Sequence, residues 1–100
     1  MVIVDGWVTF SPEALEAFRG AAAKMIAASR AEAGCLDYTY ATDFLDPGRV
    51  RITEHWADEA ALTAHFAEPH MAEFQAALAN AKRIDGDVRV YAASEIRRLI

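Results

Sequence analysis

The sequence predicts an α+β fold with elements in the order β-α-β-β-α-β. Residues 2–10 alternate in polarity and are rich in β-branched and aromatic side chains, which is typical of a strand. An Asp46-Pro47-Gly48 turn separates two more alternating segments. Between the first strand and these segments, apolar residues recur at helical spacing. This order is typical of a ferredoxin-like domain, a four-stranded antiparallel sheet with helices on one face.

The first helix is predicted to begin at Pro12 and to end just before Gly34. Ser11 is a typical N-cap, Pro12 suits the first helical position, and Glu13 lies near the positive end of the helix dipole. Gly34 is typical of the residue that follows a helix C-terminus. Helical spacing divides the segment into an apolar stripe and an outward charged side, with Glu16, Lys24, Arg30 and Glu32 on the latter.

The remaining elements follow from the same signals. Strands are predicted over residues 35–42 and 49–56, and helices over residues 58–66 and 69–83, with Pro69 separating the two helices. Asp85-Gly86-Asp87 is predicted to turn the chain into a last strand over residues 88–96.

Composition limits the possible functions. The 100 residues fit one domain, 1–100, and the 54% apolar content is that of a folded protein. A net charge of −5 with scattered basic residues disfavours nucleic acid and anionic membranes as partners. No apolar run is long enough to span a bilayer. The single cysteine, Cys35, forms no disulfide within the chain, so a cytoplasmic location is expected.

Strand alternation assigns side chains to the two faces of the sheet. The face predicted to meet the helices holds Val2, Val4, Val8, Leu36, Tyr38, Tyr40, Val50, Ile52, Glu54, Trp56, Val88 and Val90. The opposite face carries Trp7, His55 and Tyr91 and is too apolar for open water. We therefore expect a homodimer that packs sheet to sheet through this second face.

Glu54 and His65 are the candidate catalytic residues. A carboxylate on the helix-facing side must be paired, hydrogen-bonded or protonated. His65 lies on the short helix with Leu62 and should point to the same interior, where a Glu-His pair could move a proton near neutral pH. The alternative is structural: Glu54 accepts hydrogen bonds from backbone amides and His65 is a satisfied core residue.

Aromatic and apolar residues around this pair are candidates for substrate binding. Some of them also have a structural alternative: the tyrosines and the tryptophan as core packing, and the second histidine as a surface residue. The three histidines form no His-x-x-x-His pair, so no metal site is predicted. The substrate-binding candidates are Tyr38, Tyr40, Trp56, Phe66, His70, Met71 and Phe74.

The motifs Gly34-Cys35, Glu54-x-Trp56 and Ala61-Leu62-x-x-His65 resemble those of the antibiotic biosynthesis monooxygenase family. The resemblance covers about residues 2–92 and implies a ferredoxin-like domain that assembles as a dimeric α+β barrel. Haem-degrading members place an Asn on the first strand, a Trp on the short helix and an iron-ligating His downstream. Here the first strand has no Asn, and His65 and Gln75 occupy the other two positions, which argues against haem.

The resemblance implies oxidation of an aromatic polyketide or quinol by molecular oxygen without a cofactor. The Asn and Trp on which polyketide-oxidising members rely are not reproduced, since the only Asn is Asn80 on the last helix. In this hypothesis His65, assisted by Glu54, takes a proton from a phenolic substrate that Tyr40 orients. Two alternatives remain: a dimeric domain that binds or senses a small aromatic ligand without turnover, and an interior filled by side chains with no pocket.

Overall fold

In the computed structural model, which describes residues 1–83 and 85–100, four strands form one antiparallel sheet. The strand order is β2-β3-β1-β4, so β1 and β3 are central and β2 and β4 are edges. The predicted ferredoxin-like α+β fold is confirmed, including the division of its second helical segment into two helices. The elements in chain order are β1 (Val2–Thr9), α1 (Pro12–Arg30), β2 (Cys35–Thr42), β3 (Arg49–Trp56), α2 (Glu59–Phe66), α3 (Pro69–Ala81) and β4 (Asp85–Ala92).

The register of the sheet fixes which side chains reach the helices. Val4 of β1 lies between Glu54 of β3 and Val90 of β4, so these three share the helix-facing side. One assignment from strand alternation was wrong: Leu36 is 60% exposed. A register shift between Cys35 and Asp37 places an extra residue in β2, which turns Leu36 away from the core.

Helix α1 begins as its caps predict and ends earlier than predicted. The Ser11 hydroxyl accepts a hydrogen bond from the Ala14 amide at 3.2 Å, whereas the helix stops at Arg30 and not at residue 33. The next four residues form a turn that ends at Gly34, whose φ of +82° is in the left-handed region. The prediction that Glu32 points outward was wrong, because Glu32 belongs to this turn and its side chain is only 9% exposed.

The two shorter helices lie close to their predicted ranges. Asp58 caps α2 by accepting a hydrogen bond from the Ala61 amide at 2.8 Å. Pro69 occupies the first turn of α3, where its missing amide hydrogen costs nothing. Helix α3 ends at Ala81, before the predicted Arg83, because Lys82 adopts a left-handed conformation at φ +54°.

The core lies between the helix-facing side of the sheet and the three helices, in two clusters. One surrounds Trp56, which is fully buried, and includes Tyr38, Met25, Leu62 and Met71. The other joins strands β1 and β3 to helix α1 through the buried residues Val8, Phe10, Phe18 and Val50.

The edge strand β4 departs from the prediction at both ends. It begins at Asp85, within the predicted turn, and ends at Ala92 rather than at residue 96. Val88 and Val90 lie on the helix-facing side, as predicted, but are 44% and 56% exposed, since the helices do not cover this edge. Residues 93–100 have no regular structure and leave Ile96 and Leu99 exposed.

Within residues 1–83 and 85–100, none of the helices has the length and apolar character needed to span a bilayer.

Substitution of Gly34 by Ala should destabilise the protein. A Cβ at this position would lie 2.7 Å from the Ala61 Cβ and would also have to adopt a positive φ. We expect a loss of about 1–3 kcal/mol in the free energy of unfolding, measured by urea denaturation. The control is Gly20→Ala in α1, where a Cβ meets nothing within 4 Å and should stabilise the helix slightly. Equal urea midpoints for Gly34→Ala and the unsubstituted protein would contradict this account.

Candidate functional site

Three polar side chains converge where the turn after α1 meets helices α2 and α3. One carboxylate oxygen of Glu32, Oε2, lies 2.7 Å from Nδ1 of His65 and 2.7 Å from Nε2 of His70. All three side chains are largely buried, with exposed fractions of 9% for Glu32, 1% for His65 and 18% for His70. Charge-assisted hydrogen bonds of this length between buried groups are strong. We call Glu32, His65 and His70 the carboxylate-histidine cluster.

Local sequence explains how each member of the cluster reaches this point. Glu32 lies in the turn that Gly34 closes, His65 in the last turn of α2 and His70 in the first turn of α3. Gly34 lets α2 approach this turn closely, because the space that a Cβ would occupy is taken by Ala61. The cluster therefore depends on the short glycine-closed turn after α1.

His65 is enclosed by aromatic rings. Its ring centroid lies 4.6 Å from that of Trp56 and 5.6 Å from that of Tyr38. Its second ring nitrogen, Nε2, is buried and has no hydrogen-bond partner among the described residues. When a neutral imidazole donates from Nδ1 to a carboxylate, its Nε2 carries a lone pair and is a proton acceptor.

Glu54 is buried, as predicted, but its hydrogen-bond partner is Trp56. The Trp56 indole Nε1 donates to Glu54 Oε1 at 3.0 Å, and the Glu54 residue is 8% exposed. Burial raises the pKa of Glu54, although the Trp56 hydrogen bond and nearby His65 act in the opposite direction. The carboxylate that receives the hydrogen bond of His65 is thus Glu32, and the predicted pairing with Glu54 is not observed.

Tyr38 and Tyr40 form a second polar pair on the same side of the sheet. Their hydroxyl oxygens lie 2.7 Å apart. Burial, followed by the charge of Glu54, raises the pKa of Tyr38 above its usual range. Burial and the neighbouring Tyr38 raise the pKa of Tyr40 further still. Both phenols therefore stay neutral and can act as hydrogen-bond donors at physiological pH.

The other candidates for substrate binding divide between core and surface. Trp56 and Met71 are buried, and Phe74 packs against both core clusters. Phe66, also a candidate for substrate binding, is 58% exposed. Successive helical residues point about 100° apart, so Phe66 is turned outward when its neighbour His65 faces the core.

Cavities flank the candidate residues on both sides of α1. One of about 200 Å³ lies between α1 and α3 and is lined by His70, Phe74, Met25 and Glu73 among others. A larger groove of about 430 Å³ between α1 and β2 is lined mainly by apolar residues and by Tyr40. His65 and Glu54 line neither of these two spaces.

Sequence reasoning missed Glu32 as a site residue. It lies 33 positions before His65 and 38 before His70, so no local motif connects the three. The sequence signal that could have found it is Gly34. When a helix ends several residues before the glycine that follows it, the residues in between form a turn, and their side chains no longer follow the helical alternation of apolar and charged sides.

Replacing Glu54 by Gln should change how stability depends on pH. The folded pKa of Glu54 lies above the unfolded one, so the free energy of unfolding falls as pH rises through both values. Gln keeps an oxygen for the Trp56 indole and cannot ionise. We expect the variant to have the higher urea midpoint at neutral pH, with the gain disappearing below the ordinary glutamate pKa of about 4.3.

The control for this prediction is Glu16→Gln on the exposed side of α1, which should change the midpoint little at any pH. If the stability difference between Glu54→Gln and the unsubstituted protein does not vary with pH, the claim that burial raises the pKa of Glu54 is wrong.

Comparison with known proteins agrees with this fold and with the sequence motifs. Over its whole length the chain is similar to a Deinococcus radiodurans protein assigned to the antibiotic biosynthesis monooxygenases, with 32% identity, a TM-score of 0.90 and 99% of that chain covered. A Mycobacterium tuberculosis structure is 26% identical over 94% of this chain and 95% of that one, with a TM-score of 0.84. An uncharacterized Synechocystis sp. protein is 26% identical over 98% of this chain and 67% of its own length. The sequence profile of the family described as antibiotic biosynthesis monooxygenase matches residues 1–77, and the chain belongs to this family.

Proposed function

We propose that this protein is a cofactor-independent monooxygenase that oxidises an aromatic substrate, a quinol or a polyketide-like phenol, with molecular oxygen. Membership of the antibiotic biosynthesis monooxygenase family supports this reaction class. The observation that carries the proposal is the state of His65: its Nδ1 is held by Glu32, and its Nε2 is buried without a partner among the described residues.

In this proposal His65 acts as the general base. Its Nε2 accepts the phenolic proton of the substrate, and Glu32 fixes the required tautomer through Nδ1. Glu54 has the lesser role of holding the Trp56 indole beside the His65 ring. This replaces the expectation that Glu54 assists the base.

The substrate supplies the electrons for the reaction. Deprotonation gives an electron-rich phenolate that reduces oxygen in an apolar site. For a hydroquinone, one oxygen atom enters the ring and the other leaves as water, and the four electrons that reduce oxygen come from oxidation to a hydroxyquinone. An anthrone would be oxidised at its methylene carbon to a carbonyl, again with one molecule of water released. No external reductant is needed in either case.

The substrate would be held mainly by aromatic and apolar contacts. Tyr40 lines the groove between α1 and β2 and orients the aromatic ring of the substrate. Phe74 of α3 packs against the Tyr40 ring. Met71 and Trp56 form the interior wall, and His70 lies at the entrance formed by the cavity between α1 and α3. Because His65 is only 1% exposed, side chains at this entrance must move for a substrate to reach it.

Oxygen uptake by the purified, chelator-treated protein with a panel of hydroquinones and anthrones tests the proposal. Replacement of His65 by Ala or Gln should reduce protein-dependent uptake by about 100-fold or more, the usual contribution of a general base. Circular dichroism and thermal melting establish that each variant is folded, and Gln is the better replacement for the buried ring volume.

The matched control is His55→Ala, on the sheet face opposite the site, which should retain uptake as long as the protein stays folded. Folded His65 variants that consume oxygen at the rate of the unsubstituted protein would exclude His65 as the base.

The groove between α1 and β2 favours a second function, a domain that binds or senses a small aromatic ligand without turnover. Its volume of about 430 Å³ is in the range of small-molecule sites, and its lining is mostly apolar. In that case an aromatic ligand would raise the melting temperature while no protein-dependent oxygen uptake occurs.

We also propose that two copies of the chain pack sheet to sheet through the face that carries Trp7, His55 and Tyr91. Tyr91 lies on this face of β4 and is 47% exposed, and Ile96 and Leu99 after β4 are also exposed. Apolar area of this kind is typical of an interface. As for location, the unpaired Cys35 suits the reducing cytoplasm.

Replacing Tyr91 by Glu should weaken the dimer, because it places a charge in the proposed interface. Sedimentation at micromolar concentration should give a dimer for the unsubstituted protein and a shift towards monomer for the variant. The control, Ala76→Glu, lies on the exposed side of α3 and should leave the dimer intact. A monomer for the unsubstituted protein would rule out the dimer.

A further inference from the structure

The carboxylate-histidine cluster has the composition and convergence of a metal site. Each of the three residues offers one ligand atom, and these atoms all lie within 4.8 Å of one another. We propose that Glu32, His65 and His70 together bind a divalent transition-metal ion.

The chemistry of the ligands selects the class of ion. Two imidazoles and one carboxylate suit zinc, iron, cobalt, nickel or copper, whereas magnesium and calcium prefer all-oxygen ligands. Three protein ligands leave at least one coordination position for water or another small ligand, as in catalytic zinc sites.

The geometry requires a rearrangement of the three side chains. The two nitrogens now lie 2.7 Å from the Glu32 oxygen, which is a hydrogen-bond distance. Ligands held about 2.1 Å from a tetrahedral ion are about 3.4 Å apart, so each oxygen–nitrogen contact must lengthen by about 0.7 Å, and the two nitrogens must reach the same separation from each other. Glu32 in a turn and His70 in the first turn of α3 are less constrained than residues in the middle of an element.

Burial and access also favour an ion at this point. The Glu32 carboxylate is 9% exposed, and its side-chain partners among the described residues are the two imidazoles, so a bound cation would compensate a charge that is largely withdrawn from water. His70 lines the cavity of about 200 Å³ between α1 and α3, which gives an ion and its water a route to the cluster.

A bound ion would exclude the proton-accepting state of His65. Coordination through Nδ1 leaves the proton of the neutral ring on Nε2, the reverse of the tautomer that donates to Glu32. The metal-loaded and the proton-accepting forms are therefore alternative states of one residue. The metal proposal rests on the three side chains and goes beyond the proposed oxygenase reaction.

Metal binding is tested on the full chain without any substrate. After treatment with a chelator and its removal, Co²⁺ and Zn²⁺ are titrated separately by calorimetry, and Co²⁺ also by visible absorption, which reports the coordination geometry. We expect one ion per chain and a visible cobalt band. His70→Ala is the deciding variant, since His70 is the most exposed ligand and lies outside the buried core.

His70→Ala and Glu32→Gln should each weaken binding more than tenfold and reduce the cobalt band, and His55→Ala should do neither. Absence of stoichiometric binding, or unchanged binding by folded His70→Ala, would overturn the proposal. Metal binding together with no oxygen uptake by the chelator-treated, metal-free protein would contradict the oxygenase alone. Uptake by the chelator-treated protein without any metal binding would contradict the metal site alone.

Discussion

Through one carboxylate oxygen, Glu32 connects three parts of the chain. It accepts hydrogen bonds from the last turn of α2 and the first turn of α3 while its own backbone belongs to the turn after α1. A carboxylate that is 9% exposed is unfavourable without such partners. The positions of His65 and His70, and with them every proposal about chemistry, follow from this shared oxygen.

Most of the fold could be predicted because local signals agree with the tertiary structure. The ends of β2 and β3 lie where alternation placed them, and Ser11 and Pro12 begin α1 as their side chains require. Two of the errors occurred where a single residue alters the register or where a partner element is lacking. The irregularity after Cys35 turned Leu36 outward, and the position of β4 at the edge left its valines uncovered.

The candidate site could be predicted in part for the same reason. The burial of His65 and Glu54 follows from helical spacing and strand parity, which depend only on neighbouring residues. The hydrogen-bond partner of His65 cannot be predicted in this way, because it depends on how a turn 33 residues away packs against α2. His65 thus bonds to Glu32, while Glu54 bonds to the Trp56 indole two residues along its own strand.

The central claim is that His65 carries its proton on Nδ1 and not on Nε2. Nitrogen NMR of the chelator-treated protein measures this directly. The ¹⁵N shifts of the two ring nitrogens show which one carries the proton at neutral pH. The Glu32 hydrogen bond predicts a proton on Nδ1 and a free lone pair on Nε2, with this preference lost in Glu32→Ala, which removes the acceptor oxygen. A proton on Nε2 in the metal-free protein would contradict the account.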